Sequence, residues 1–294
     1  MPDFSTYLSQ WIDRFLVPID DPTSRLFHLN LVFCVGFVFI WAIMMKKKNF
    51  KKVLRWRYLK LLFFSKNYWW NSSTRFDYQI YALNSVLKIF IFIPFLDVTF
   101  NISMLVIRLL QKALPEHQAL PVTELTLFIF TFAFFVLDDF IRFIHHYGMH
   151  RIPWLWKFHS THHSATTLTP ITLYRTHPVE SAIATVRNSL SLGLATGTFV
   201  FLFQSQLTMT TLLGINFFGF IFNLLGSNLR HSHIDFTFGP LERIFISPKQ
   251  HQIHHSTNPE HFDKNFGVSL SLWDQLFKTY ISAAAVKKLR FGLE

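Results

Sequence analysis

Apolar residues along this chain fall in long uninterrupted runs. They show neither the alternation of a half-buried strand nor the narrow stripe of a soluble amphipathic helix. The runs cover residues 28–45, 78–110, 122–144, 179–203 and 207–225. A helix needs roughly 20 apolar residues to cross a bilayer core. Lys46, Lys47 and Lys48 stop the first run. The second would be about 50 Å long as one helix, more than a single crossing needs. Pro94 and Asp97 sit near its middle and predict a break there. That run is therefore expected as two short helices in a hairpin, or as one crossing plus a helix in the interface. A very short linker makes the last two runs a hairpin. The predicted fold class is all-α, a multi-pass membrane protein with about four to six transmembrane helices.

Composition strengthens this picture. Half of the 294 residues are hydrophobic, 36 are Phe, and only 15% are charged, well outside the usual balance of soluble domains. The net charge of +11 is concentrated in one block, KKKNFKKVLRWRYLK. Beside an apolar run, such a block reads as a cytoplasmic loop facing anionic lipid rather than as a nucleic-acid surface. One cysteine, Cys34, excludes an intramolecular disulfide. Residues 1–27 lack the basic-then-apolar order of a cleavable signal peptide and read as an interfacial segment.

Histidines supply the chemistry. Six of the fifteen lie in DDFIRFIHHYGMHRIPWLWKFHSTHHS, directly after the third run. SPKQHQIHHS repeats the ending of that stretch about ninety residues later. His146 and His150 are four apart, and His159, His162 and His163 share the helical i, i+3, i+4 spacing with His251, His254 and His255. Each set is expected to face one way. Imidazole is an ordinary ligand for Zn, Cu, Fe or Ni, and eight or more converging imidazoles exceed what one ion uses, which implies two. The hairpin returns the chain to the side it left, so both clusters share one membrane face. Arg142, Arg151, Lys157, Arg175, Arg230, Arg243 and Lys249 are expected there too, which assigns that face to the cytoplasm. Five crossings with an external N-terminus satisfy this parity.

The motifs resemble those of the fatty acid hydroxylase superfamily, integral-membrane di-iron proteins that include sterol desaturases, sterol methyl oxidases and alkylglycerol monooxygenase. The likeness covers roughly residues 138–280. HYGMH matches an H-x-x-x-H, with Tyr147 where arginine is often found. LWKFHSTHHS, RTHPVE, LRHSHI and SPKQHQIHHS follow in order, then DKNFGVSLSLWDQLFKTY. The resemblance implies ten metal ligands: His146, His150, His159, His162, His163, His177, His231, His251, His254 and His255. His233 is the alternative to His231. It implies two non-heme Fe ions, O₂ as co-substrate, and hydroxylation or desaturation of a C–H bond in a sterol-like or long-chain lipid. Asp138 and Asp139, charged at a span end, are candidates to orient ligand imidazoles; Glu180 and Asp274 are weaker ones. Three regions are expected: the segment 1–27, membrane spans with the basic loop over 28–120, and a hydroxylase-like domain over 121–294.

No heme-binding H-P-G-G occurs, so electrons are expected from a separate cytochrome b5, ferredoxin or reductase. A bacterial inner membrane and an endoplasmic reticulum fit equally. The competing class is a histidine-rich metal transporter or metal-binding membrane protein. Transporters carry ionisable residues near the bilayer midplane, whereas these histidines lie at and beyond the run ends.

Overall fold

A computed structural model of the chain describes residues 27–45, 64–204, 217–224, 227–286 and 288–293. Among them are nine α-helices joined by 3₁₀ turns and loops. No strand occurs among the described residues; only the isolated bridges Phe245–Leu270 and Ser256–Phe291 pair extended backbone. The all-α expectation holds. The segment 1–26, the basic loop and residues 207–216 and 225 of the fifth run lie outside the described residues.

The helices are α1 (His28–Met45), α2 (Lys66–Trp69), α3 (Ser72–Ala113), α4 (Glu124–Arg151), α5 (Pro153–His163), α6 (Pro178–Phe203), α7 (Phe217–Leu224), α8 (Pro248–His254) and α9 (Leu272–Leu276). The second apolar run departs from expectation. It is one helix of 42 residues, about 63 Å long, continuous through position 94. A proline inside a helix costs about 3 kcal/mol, and here a long packed partner offsets it. α3 and α6 form the most extensive helix pair among the described residues. Gly193 and Gly197 on α6, four residues apart, permit the close approach. A β-carbon at Gly197 would stand 2.6 Å from the Ser103 carbonyl oxygen, and one at Gly193 2.7 Å from Ile102. Small residues at this spacing are how helix backbones approach closely in lipid.

α4 starts on a capping box between Thr123 and Thr126 and runs antiparallel to α6. Phe130 packs on Phe199 and Phe134 clusters with Ala195. Farther along, Ser191 Oγ donates to Asp138, and Arg187 faces His145 at 3.3 Å. Residue pairs that sum to about 330 thus meet along the whole length of the pair. At the far end, the Leu202 carbonyl accepts from Leu120 N at 2.8 Å and meets His117 Nε2 at 3.1 Å, closing the α3–α4 loop onto α6.

Among the described residues one helix, α6, is long and apolar enough to cross a membrane by length and composition. The expectation of four to six such helices is met only to that extent. α4 carries Asp138, Asp139 and Arg142 within its apolar run.

Candidate metal centre

Backbone chemistry puts the histidines in place. α4 carries His146 and His150 in its last turns and ends at Ile152, held extended by Pro153. Pro153 then opens α5, which carries His159, His162 and His163. α8 begins on a capping box between Ser247 and Gln250, with Pro248 in its first turn, and brings His251 and His254; His255 is its C-cap. His231 ends the 3₁₀ turn Ser227–His231. Gln252 Nε2 holds that region against α8 by donating to the carbonyls of Leu229, Ser232 and Ile234 at 3.2, 3.1 and 2.8 Å.

Nine of the ten expected ligands gather into two neighbouring groups. His146, His150, His159, His163 and His254 form one; His162, His231, His251 and His255 form the other. Within each group the candidate ligand nitrogens lie within 4.8 Å of one another. The rings of His163 and His255, one from each group, stack at 4.4 Å. The expectation that each H-x-x-H-H faces one way is corrected here. α5 gives His159 and His163 to the first group and His162 to the second. α8 does the reverse, giving His251 and His255 to the second and His254 to the first. Residues i+3 and i+4 diverge by about 100° around a helix, so each motif straddles two sites.

The donors fit metal ions. In the first group His146 Nδ1 donates to Phe266 O, His254 Nδ1 to Lys264 O and His159 Nδ1 to Glu180 Oε1, each at 2.8 Å. Those oxygens only accept, so the proton sits on Nδ1 and the Nε2 lone pair turns inward. Nε2 of His150, His159, His163 and His254 is buried with no hydrogen-bond partner among the described residues. In the second group the Nε2 atoms of His162, His255 and His251 stand 3.3, 3.3 and 3.1 Å from that of His231. Nitrogens ~2.1 Å from a metal ion stand ~3.0 Å apart in octahedral and ~3.4 Å apart in tetrahedral geometry. Burial above all holds His162 and His254 down at about 4 and about 3, so both rings are neutral, as ligation requires, at physiological pH. An all-nitrogen set suits Fe, Zn, Cu or Ni and not Mg or Ca.

His177, the tenth expected ligand, stands outside both groups. It is the N-cap of α6, its Nδ1 accepting from Val179 N at 3.1 Å. Its motif still reaches the site through Glu180, the His159 partner. His231 joins the second group, whereas His233 packs on Tyr68 at 4.4 Å. Asp138 and Asp139 lie eight and seven residues before His146, about 11 Å along the helix, too far to orient it. Asp138 pairs with Arg142 at 2.6 Å. Asp139 accepts from Ser269 N, Leu270 N and Trp273 Nε1 at 2.8–3.0 Å. Asp274 accepts from Phe266 N and Gly267 N, both at 2.8 Å. These two carboxylates clamp the loop whose Phe266 carbonyl receives His146. Burial pushes the Asp274 carboxyl up to about 6.

A cavity of about 770 Å³ touches both groups, reaching His146 and His159 of one and His162, His231 and His251 of the other. It extends between α4 and α6 to Phe134, Phe135, Leu192 and Phe220.

A family model for fatty acid hydroxylase matches residues 131–279, half of the chain. The chain belongs to the fatty acid hydroxylase family. All nine grouped histidines fall within the matched residues. Among curated proteins it is similar to the alkylglycerol monooxygenase of Caenorhabditis elegans, 28% identical over 49% of this chain and 25% of that one. The ornithine lipid hydroxylase OlsE of Rhizobium tropici is 30% identical over 49% of this chain and 40% of that one. The human alkylglycerol monooxygenase is 28% identical over 53% and 31%. The matched stretches thus span a quarter to two-fifths of these relatives' lengths. No solved structure matches significantly.

One support of the candidate centre comes from outside the matched residues. Buried Arg175 donates to Asp77 Oδ1 at 2.9 Å, Ser73 O at 3.1 Å, Thr161 O at 3.0 Å and Ser164 Oγ at 2.7 Å. It ties the start of α3 to the end of α5, across the boundary expected at residue 120. Asp77 gives no local signal in the sequence, because its partner lies 98 positions away.

Proposed function

We propose that this chain is a membrane-bound di-iron oxidase that uses O₂ to hydroxylate or desaturate a C–H bond of a sterol-like or long-chain lipid. The observation that carries the reading is the pair of adjoining all-imidazole groups opening on one cavity with an apolar far end. His146, His150, His159, His163 and His254 would hold one iron, and His162, His231, His251 and His255 the other. Bound there, the two ions supply the redox chemistry with O₂ that no side chain can provide.

The chain's own part is positional. Glu180 and the carbonyls of Phe266 and Lys264 keep the proton on Nδ1, so that Nε2 stays a ligand. Phe134, Phe135, Leu192 and Phe220 give the cavity an apolar end suited to a hydrocarbon chain. Large apolar side chains stand exposed on α4 (Leu125, Phe128, Ile129, Phe132) and α3 (Phe100, Leu105, Leu109). Exposed apolar surface on that scale supports a lipid environment for these helices. A multi-pass topology with cytoplasmic histidines rests on the apolar runs and on the basic residues that flank them. Electrons would come from a separate cytochrome b5, ferredoxin or reductase.

Two measurements test the reading together. Metal analysis of the purified chain should find close to two Fe per polypeptide, and fewer in His254→Ala. Lipid mass spectrometry of expressing cells supplied with an electron donor should reveal a species gaining one oxygen, or losing two hydrogens, that is absent with His254→Ala. Zinc or copper in place of iron with no lipid change would overturn the assignment in favour of metal handling.

A further inference from the structure

The cap that carries α8 and α9 has a bare apolar side. α9 exposes Leu272 and Leu276, four residues apart and so on one face. The 3₁₀ turn Gly239–Arg243 exposes Leu241, and Ile244 follows three positions on, the repeat of such a turn. Phe277 is exposed as well. Backbone contacts join the two elements: Ser271 N donates to Ile244 O at 2.9 Å, and Phe245 bridges Leu270. Leu276 is 69% exposed and Leu241 57%. Large apolar side chains left bare on adjoining elements mark a partner surface or a membrane.

α4 supplies the depth. Its exposed Leu125, Ile129, Phe132, Leu137 and Ile144 fall within an arc of about 140°, at 100° per residue. A hydrocarbon core of about 30 Å takes up about 20 residues of helix, and from Leu125 that length ends near Ile144. α9 packs beside this end. Trp273 meets Phe140 at 4.8 Å, and Phe277 meets Phe143 and Tyr147 at 5.0 and 5.5 Å. The bare side of the cap thus adjoins the apolar stripe of α4 at the level where hydrocarbon gives way to headgroups, the level at which indole rings are enriched.

Charge agrees with that placement. Over residues 239–245 and 270–280 the acids Glu242 and Asp274 are buried and hydrogen-bonded, whereas the cations Arg243 and Lys278 are exposed. On α4, Asp138 pairs with Arg142, and Asp139 is buried and bonded to the 269–273 loop. The exposed rim of the patch is therefore cationic, the sign that suits the anionic lipid of a cytoplasmic leaflet.

We propose that α9 and the 239–244 turn lie in the membrane interface, with their apolar side chains at the acyl boundary and Arg243 and Lys278 among anionic headgroups. The partner is a lipid surface, and one edge of the cap is immersed in it. The inference rests on the lipid environment proposed for α4 and needs no turnover. Its consequence is positional. α9 follows the loop whose Phe266 carbonyl receives His146, and Trp273 Nε1 donates to Asp139 on α4. Immersion of α9 then holds the metal centre at the lipid boundary.

Spin labelling of the full chain in phosphatidylcholine–phosphatidylserine liposomes tests the placement. Cys34→Ala removes the one cysteine, and single cysteines are then introduced for nitroxide attachment. Labels at Leu276→Cys and Leu241→Cys should collide more with oxygen, which concentrates in hydrocarbon, than with a water-soluble nickel chelate. Ile129→Cys on α4 should do the same, and Glu260→Cys, exposed in the tail, should show the reverse. Reversing both charges, Arg243→Glu with Lys278→Glu, should raise nickel collision at position 276 about fivefold. Nickel dominance at 241 and 276 with 129 still in lipid overturns the proposal and leaves the membrane reading standing. Nickel dominance at 129 as well overturns both. Silence toward both reagents at 276 would mean that protein covers the patch, and it overturns the proposal too. No response to charge reversal would refute the role given to Arg243 and Lys278.

Discussion

The Glu180–His159 hydrogen bond gives the sharpest test of how the site is assembled. Oε1 and Nδ1 are 2.8 Å apart with both side chains less than a tenth exposed. The bond fixes the His159 tautomer and adds negative charge behind one ligand of the five-imidazole group. Glu180→Gln preserves volume and can still accept from Nδ1, but it removes the charge. Hydrogen bonds to a buried charged group contribute about 1.5–3 kcal/mol, and losing an outer partner of a metal ligand typically costs 10–100-fold in affinity, about 1.4–2.7 kcal/mol. The two estimates agree. No member of the four-imidazole group hydrogen-bonds Glu180 among the described contacts, and it feels that charge only through space, at His162. Chelator-competition titration of Glu180→Gln should show one of two bound equivalents weakened 10–100-fold and the other weakened far less. Thermal unfolding should confirm that the fold is intact. Two equivalents with parent affinity, or both weakened alike, would refute the argument that Glu180 serves one group.

Three further outcomes follow from packing and protonation. Gly197→Val forces side-chain carbon against the Ser103 carbonyl; overpacking of this kind costs about 1–3 kcal/mol. It should lower the melting temperature in detergent, whereas Gly36→Ala, with nothing within 4 Å, should not. A β-carbon at Gly267 would stand 2.6 Å from Leu270 O and 2.8 Å from Asp274 Oδ2. Gly267→Ala should therefore loosen the Phe266 carbonyl from His146 and reduce metal content, read by elemental analysis. The third outcome concerns the metal-stripped chain. His162 and His254 titrate at about 4 and about 3 in the folded chain, below the ordinary value of 6.5. The unfolded chain therefore binds more protons between those values, and stability present above pH 6.5 is lost as pH falls. Melting of the stripped protein should drop between pH 7 and pH 5; a rise would contradict the burial argument.

The sequence displayed the candidate ligands because helical spacing is local. His159, His162 and His163 read as one face from their separations, and all three lie within the two imidazole groups. How a motif divides between two ions is not local. It depends on α5 and α8 facing each other, and only then does the 100° between positions i+3 and i+4 become a division of labour. The Nδ1 partners were harder still. Two of three are backbone carbonyls, Phe266 and Lys264, which no residue type advertises. Asp139 drew attention as a charge at a span end, and it is buried and fully bonded, but to the 269–273 loop rather than to a ring. Proline at position 94 predicted a break that helix pairing overrode. The glycines at 193 and 197 were the signal for that pairing.

The same geometry explains why the site needs so much of the chain. A nine-imidazole centre contributes no negative charge, so two divalent ions would leave it strongly cationic inside an apolar cap. The compensating carboxylate nearest to hand is Glu180, on α6, while the ligands sit on α4, α5 and α8. Glu180 can stay within hydrogen-bonding distance of His159 only if α6 keeps its register against α4. That register is set along the whole pair, from Phe130 on Phe199, through Ser191 on Asp138, to Arg187 at His145. α6 is in turn gripped by α3 through Gly193 and Gly197. A slip of one helical turn, about 5.4 Å, would carry Glu180 away from His159 and Arg187 away from His145 at once. Metal affinity should therefore fall in a variant such as Gly197→Val, although that residue lies about 25 Å along α6 from Glu180.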